Sequence, residues 1–228
     1  MNFEVLQEYG PRMLAGLLVT LELVVISITL GALLAVPLAL GRMSRNKLIS
    51  RLAFAYVYAV RGTPLLAQTF LVYYGAGQFR PELQAVGLWW LFKDAFFCCV
   101  LTFTLNTAAY QAEIYRGAIL AVPRGQSEAA MSLGLTPRSI FRMVVAPQAM
   151  LLALRPLGNE IILMIKGSSV AAIVTVFDLM GVTRLAYSRT FDFQVYLWAA
   201  VLYLVLVEII RRVWDRIELR LTRHIRHA

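Results

Sequence analysis

The sequence predicts an all-α membrane protein: five transmembrane helices with a polar helical hairpin between the third and the fourth. Three observations lead there. Sixty per cent of the 228 residues are hydrophobic and the mean hydropathy is +0.69, too apolar for a soluble domain of this length. The apolar residues gather into five runs, near 13–40, 52–74, 87–112, 149–176 and 196–210. Each reaches or approaches the roughly 20 residues that cross a hydrocarbon core. The basic residues fall mostly between the runs, which accounts for the net charge of +9 by membrane topology rather than by nucleic-acid binding. No repeat, low-complexity tract or linker divides residues 1–228, so they read as one membrane domain.

The first run holds one carboxylate, Glu22. A charge at mid-membrane costs roughly 2.5–3.5 kcal/mol on insertion scales, so each such residue asks for a reason. The N-terminus is not read as a cleaved signal: Glu4 and Glu8 precede the run, and no basic segment opens it. The loop after this run carries Arg42, Arg45, Lys47 and Arg51.

The second run contains Arg61-Gly62-Thr63-Pro64. Pro64 removes a backbone donor and Gly62 loosens the helix, so a kink is expected, with Thr63 placed to satisfy a freed carbonyl. The third run opens on Trp89 and Trp90, rings suited to a membrane interface. It carries Thr102, Asn106, Tyr110, Glu113 and Gly117 at helical spacing, a polar face expected to turn inward. Glu113 falls far enough along to serve an inner mouth or to pair with Arg116. Cys98 and Cys99 are adjacent and in an apolar run, which supports neither a disulfide nor a metal site.

Between the third and fourth runs, about 126–148, lies the longest polar interruption. A first helix is expected over 126–133, ending at Gly134, which can turn the chain with positive φ. A second begins at Thr136-Pro137, an N-cap hydroxyl followed by proline at the first helical position. Arg138 and Arg142 share a face.

The fourth run carries Arg155, Asn159 and Lys166 on one face, with Glu160 one step round and near the middle. A carboxylate there suits the ammonium or guanidinium of a cationic solute; the alternative is a structural pair with Lys166 or Arg61. The segments 75–88 and 177–192 are expected outside, as connections or as contacts for an external partner. The tail after the fifth run holds Arg211, Arg212, Arg216, Arg220, Arg223 and Arg226. With the two inner loops this makes fifteen basic residues, against five (Arg12, Arg80, Lys93, Arg184, Arg189) on the other side. That asymmetry puts the N-terminus outside and the C-terminus in the cytoplasm. His224 and His227 read as part of the solvated basic end.

Glu128-Ala129-Ala130, Gly134, Val144 and Pro147 resemble the EAA loop of ABC importer permeases, with Val144 and Ala146 as small departures that stay apolar. The resemblance implies a type I ABC importer permease fold. It also implies that this hairpin is the coupling helix: Glu128 pairing with a basic residue of an ATP-binding subunit, Ala129 and Ala130 allowing close approach, Gly134 setting the turn. Arg61-Gly62-Thr63-Pro64 followed by Leu65, Leu66 and Gln68 is similar to the polar amino-acid branch. So is Thr104-Leu105-Asn106-Thr107-Ala108-Ala109-Tyr110 followed by Glu113, Gly117 and Ala118. Asn159-Glu160, Lys166 and Ser168 are similar to the subgroup that moves histidine, lysine, arginine and opines. The resemblance as a whole implies a permease subunit in the bacterial inner membrane. Its partners would be a homologous permease (a heterodimer rather than a homodimer), two ATP-binding subunits and a periplasmic or extracellular substrate-binding protein. ATP and Mg would be held by the ATP-binding subunits, and this chain would not be an enzyme: it has no G-x-x-x-x-G-K-[ST] loop. Glu160, Asn159, Arg61, Thr63, Asn106 and Glu22 are the expected substrate pathway, with Glu113 at its inner mouth. The other function classes the residues allow are a stand-alone oligomeric carrier or channel for small polar solutes and a membrane scaffold.

Overall fold

The computed structural model describes residues 3–223 and is helical throughout, with no strand among the described residues. Arg226, His224 and His227 lie outside the described residues. Eleven α-helices run in order: α1 Phe3–Arg42, α2 Lys47–Gly62, α3 Leu65–Gln78, α4 Arg80–Ala85, α5 Trp89–Phe92, α6 Ala95–Ala121, α7 Arg124–Ser132, α8 Pro137–Ile140, α9 Ala146–Gly167, α10 Leu179–Thr190 and α11 Gln194–Leu221. Four stretches are long and apolar enough to cross a membrane: Gln7–Arg42, Ala95–Ala121, Pro137–Val174 and Gln194–Leu221. The expected second span is present as α2 and α3, broken at Thr63-Pro64, and neither half is long enough alone. The kink is therefore a full break: Thr63 and Pro64 are both extended, at ψ 145° and 138°.

Side-chain caps set several boundaries. Asn46 accepts from the Leu48 N–H at 2.9 Å and starts α2, and Asp94 accepts from the Phe96 N–H at 2.8 Å and starts α6. The third span therefore begins at Ala95, not near residue 87, and the tryptophan pair belongs to the separate short helix α5. Gly134 takes φ +79° as expected, and Thr136 caps α8 just beyond it. That helix is not a free-standing arm. Through a π turn at Phe141–Val145 it runs on into α9, so the helix that carries the fourth apolar run starts at Pro137, ahead of the run itself near residue 149.

The segment 177–192 is more than a connection. Asp178, fully buried, accepts from the Gly181 N–H at 2.8 Å and caps α10, which packs on the first half of α1. Thr20 of α1 accepts the Leu179 N–H at 3.1 Å. Leu179 and Val182 share a cluster with Met13 and Ala199. Gly16 allows the approach, since a Cβ there would lie 2.9 Å from the Asp178 carbonyl oxygen.

At the centre stands α6, which packs against α1, α2, α3 and α9. Its inward residues include Cys99, Phe103, Ala108, Ala109 and Ala112, all 0 % exposed. The small residues let neighbouring backbones come close, which in a membrane is where packing energy comes from. The same logic governs α9 and α11. The Trp214 indole lies over Gly158 and donates to the Leu154 carbonyl at 2.8 Å, while Arg155 pairs with Glu218 at 2.7 Å.

A Cβ at Gly158 would overlap the Trp214 ring, whereas one at Gly117 would meet nothing within 4 Å. Gly158→Ala is expected to destabilise the detergent-purified protein by about 1–3 kcal/mol, the usual cost of overpacking. Gly117→Ala is expected to leave its melting temperature unchanged. Thermal unfolding of both variants checks this.

Candidate functional site

The polar residues of α6 find partners on three other helices. Glu160, on α9 and 6 % exposed, accepts from the Thr107 hydroxyl at 2.8 Å. Gln111 donates to Thr107 Oγ1 at 3.1 Å and to the Ile28 carbonyl of α1 at 3.2 Å, and Tyr115 donates to Gln111 Oε1 at 3.3 Å. Glu160 is thus built into a buried chain of hydrogen bonds. It takes part in none of the ion pairs among the described residues, so neither Arg61 nor Lys166 is its salt-bridge partner. Arg61 acts on it electrostatically over a longer gap.

Arg61 stands at the last turn of α2, exposed, with its guanidinium 5.0 Å from the centre of the Tyr110 ring. That geometry suits a cation–π contact and leaves guanidinium edges free to donate. Arg61 and Tyr110 line one cleft of about 450 Å³ with Glu113, Gly117, Leu152 and Pro156. Glu113 is held by two cations: Arg42 Nε of α1 at 2.9 Å and the Arg116 guanidinium at 2.8 Å. The pairing with Arg116 matches the expectation. Arg42, 71 residues away in sequence, was not visible to spacing.

Next to Arg61 the broken backbone is held by side chains. The Thr63 hydroxyl donates to the Ala59 carbonyl at 2.9 Å. Gln68 Nε2 lies 2.7 Å from the Val60 carbonyl oxygen and 2.7 Å from Thr63 Oγ1, and Asn106 Nδ2 donates to Gln68 Oε1 at 2.9 Å. The carbonyl without its usual donor at Pro64 is thus reached by Gln68, while Thr63 serves a neighbouring one.

Arg61, Thr63, Asn106 and Glu160 therefore gather around α6. Two expected pathway residues stand elsewhere. Asn159 is exposed and turns to a polar pocket between α9 and α11, lined also by Arg155, Arg211 and Trp214. Glu22 lies on the exposed face of α1 with Leu18 and Val25. Thr107 and Gln68 stood in the sequence only as members of the family motifs, without a partner, and Gln111 was not singled out. Helical spacing was a further signal: Thr107 and Gln111 are four apart, as are Pro64 and Gln68.

The hairpin forms a second candidate surface. Glu128 and Ala129 are exposed on α7, whereas Ala130 is 5 % exposed and packs against its own chain. Met131 and Leu133 are 63 % and 82 % exposed, and Pro147 is exposed at the start of α9. Glu128 thus stands beside exposed apolar side chains, with the Gly134 turn behind them.

Comparison with known proteins agrees with this geometry. The family model of the binding-protein-dependent transport system inner membrane component matches residues 27–223. The chain is 41% identical over 227 residues to the nopaline transport system permease protein NocM of Agrobacterium fabrum, covering 99% of this chain and 94% of the relative. It is 36% identical over 230 residues to the histidine/lysine/arginine/ornithine transport system permease protein HisM of Salmonella typhimurium, covering 97% and 98%. Among solved structures, a chain of an amino acid ABC transporter crystallised with histidines superposes with a TM-score of 0.85 at 35% identity, covering 96% of this chain and 99% of that one. The MetNI methionine ABC transporter in an inward-facing form shares the fold, with a TM-score of 0.72 at 21% identity and coverage of 92% and 96%.

Thr107→Val removes the hydroxyl that answers Glu160 and puts a methyl in its place. The expected loss is about 1–3 kcal/mol, the penalty for a buried polar group left without a partner. Thr107→Ser, which keeps the hydroxyl, is expected to lose less than half as much. Thermal unfolding of the two variants against the parent provides the comparison.

Proposed function

The chain belongs to the family of binding-protein-dependent transport system inner membrane components, and on that premise we propose that it is the permease subunit of an ATP-driven importer for basic amino acids or opines. The observation that carries the substrate class is Glu160, a buried carboxylate that is hydrogen-bonded and forms none of the ion pairs among the described residues. The relatives named for nopaline and for histidine, lysine, arginine and ornithine support it. In this reading Arg61 and the broken backbone at Thr63 receive the carboxylate end of the solute, and Glu160 the cationic end. Glu113, neutralised by Arg42 and Arg116, guards the inner mouth of the cleft.

Membrane placement rests on the same premise. α2 and α3 together make a fifth span; the N-terminus lies outside and the basic C-terminus in the cytoplasm, which puts α7 and α8 where ATP is. The exposed face of α7 docks on an ATP-binding subunit, with Glu128 and Ala129 at the contact and Ala130 holding α7 to its own chain. Arg61, Thr63 and Lys166 are exposed within apolar stretches, which suits a face turned to a second permease and an aqueous path rather than to lipid. A homologous permease is the partner proposed, with two ATP-binding subunits that hold ATP and Mg and an external substrate-binding protein.

Uptake by the assembled complex in proteoliposomes tests the substrate reading. Glu160→Gln is expected to lower arginine or lysine uptake roughly tenfold to a hundredfold, the scale of one charge-assisted hydrogen bond, with little change for a neutral polar amino acid. Equal loss for both solutes, or loss of the assembled complex, makes Glu160 structural instead. Coupling is tested separately. Gly134→Asp puts a side chain at φ +79°, and Glu128→Lys reverses the exposed charge. Both are expected to abolish ATP-dependent uptake while membrane insertion persists. Uptake that survives both changes, or that needs no ATP, favours a stand-alone carrier.

A further inference from the structure

α2 stops at Gly62, and the next helix starts at Leu65 after two extended residues, Thr63 and Pro64. A continuous helix would use the N–H of residue 64 to bond the carbonyl of Val60. Proline has no such hydrogen, so that carbonyl needs a donor from elsewhere. An unanswered carbonyl there would favour any local rearrangement that found it a donor.

Gln68 supplies the donor. It sits one turn beyond Pro64 on α3, and its side-chain nitrogen reaches back to the Val60 oxygen at 2.7 Å. The same nitrogen meets Thr63 Oγ1 at 2.7 Å and the Thr63 carbonyl at 3.2 Å. Thr63 Oγ1 already gives its hydrogen to the Ala59 carbonyl, so toward Gln68 it accepts. The orientation of the amide is set from outside the break. Asn106 of α6, 7 % exposed, donates to Gln68 Oε1 at 2.9 Å, so the nitrogen is the end that faces Val60. The break is thereby tied to the central helix. Thr63 lies within it and Arg61 just before it, and Arg61 reaches the Tyr110 ring on the same helix, one turn past Asn106.

We infer that Gln68, oriented by Asn106, is a positioning residue: its side-chain amide replaces the N–H missing at Pro64 and so holds the α2–α3 break, and Arg61 with it, in the conformation that faces the solute. The inference rests on the permease reading for its transport measurement only. It is independent of Glu160 and of the solute's charge.

A double-mutant cycle tests it. Gln68→Met keeps the length and bulk of the side chain and removes the amide. Pro64→Ala returns a backbone N–H to Val60. In the parent, Gln68→Met is expected to lower the melting temperature of the assembled complex by roughly 2–4 °C. It is also expected to lower uptake of arginine and of a neutral polar amino acid by the same factor, roughly tenfold. In the Pro64→Ala background, Gln68→Met is expected to leave the melting temperature within about 1 °C of Pro64→Ala alone, the resolution of such a comparison. Asn106→Leu should reproduce the Gln68→Met losses and add little to them. Equal losses from Gln68→Met in both backgrounds overturn the inference, because the side chain would then act through packing. The melting temperatures decide this even if Pro64→Ala itself stops uptake. A failure confined to cationic solutes would be the behaviour proposed for Glu160, so the two readings fail differently.

Discussion

A polar group surrounded by hydrocarbon must be answered from within the protein, and the arrangement of this bundle around α6 obeys that constraint. Asn106, Thr107, Gln111 and Glu113 lie within about two turns of α6, and each is bonded to another helix: α3, α9, α1 and α1 again. Between them stand alanines that let those helices approach. The polar contacts say which helix meets which turn, and the small residues let it come close enough to bond. Thr104 departs from the pattern, being buried with no hydrogen-bond partner for its hydroxyl among the described residues.

Two carboxylates on this framework meet different fates. Glu113 stands between two guanidinium groups, so its charge is met by the protein itself. Glu160 has a hydroxyl donor and no ion-pair partner among the described residues. The same contrast separates the two arginines near the cleft. Arg42 is committed to Glu113, whereas Arg61 rests on an aromatic face with donors to spare.

The break at Thr63-Pro64 and the turn at Gly134 use non-helical backbone for different ends. At Gly134 positive φ reverses the chain beyond α7, in a polar stretch where loose backbone groups are readily hydrated. At Thr63-Pro64 the chain does not reverse. It opens within a span, where side chains of Thr63, Gln68 and Asn106 stand in for water. Irregular backbone of this kind within a membrane belongs beside a cavity, and the cleft with Arg61 and Tyr110 is such a place.

Local rules made much of the chain legible from the sequence. Hydropathy located the apolar runs, because burial in lipid needs long stretches without charge. Proline at 64 and glycine at 134 marked a break and a turn, because each acts on its own backbone. The family motifs brought out Glu128, Arg61, Asn106 and Glu160 for the same reason, being read along the chain. What the tertiary structure alone decided are relations between distant segments. Glu160 bonds to Thr107 rather than to Lys166 or Arg61; Arg42 reaches Glu113 across 71 residues; Asn159 turns toward α11; and α10, expected as a connection, packs into the core through Asp178 and Thr20. The helices that carry the third and fourth runs start elsewhere than the runs because Asp94 caps α6 and because α8 continues through a π turn into α9. Periodicity shows which residues share a face. It does not show which helix that face meets, since that depends on how all the helices pack at once.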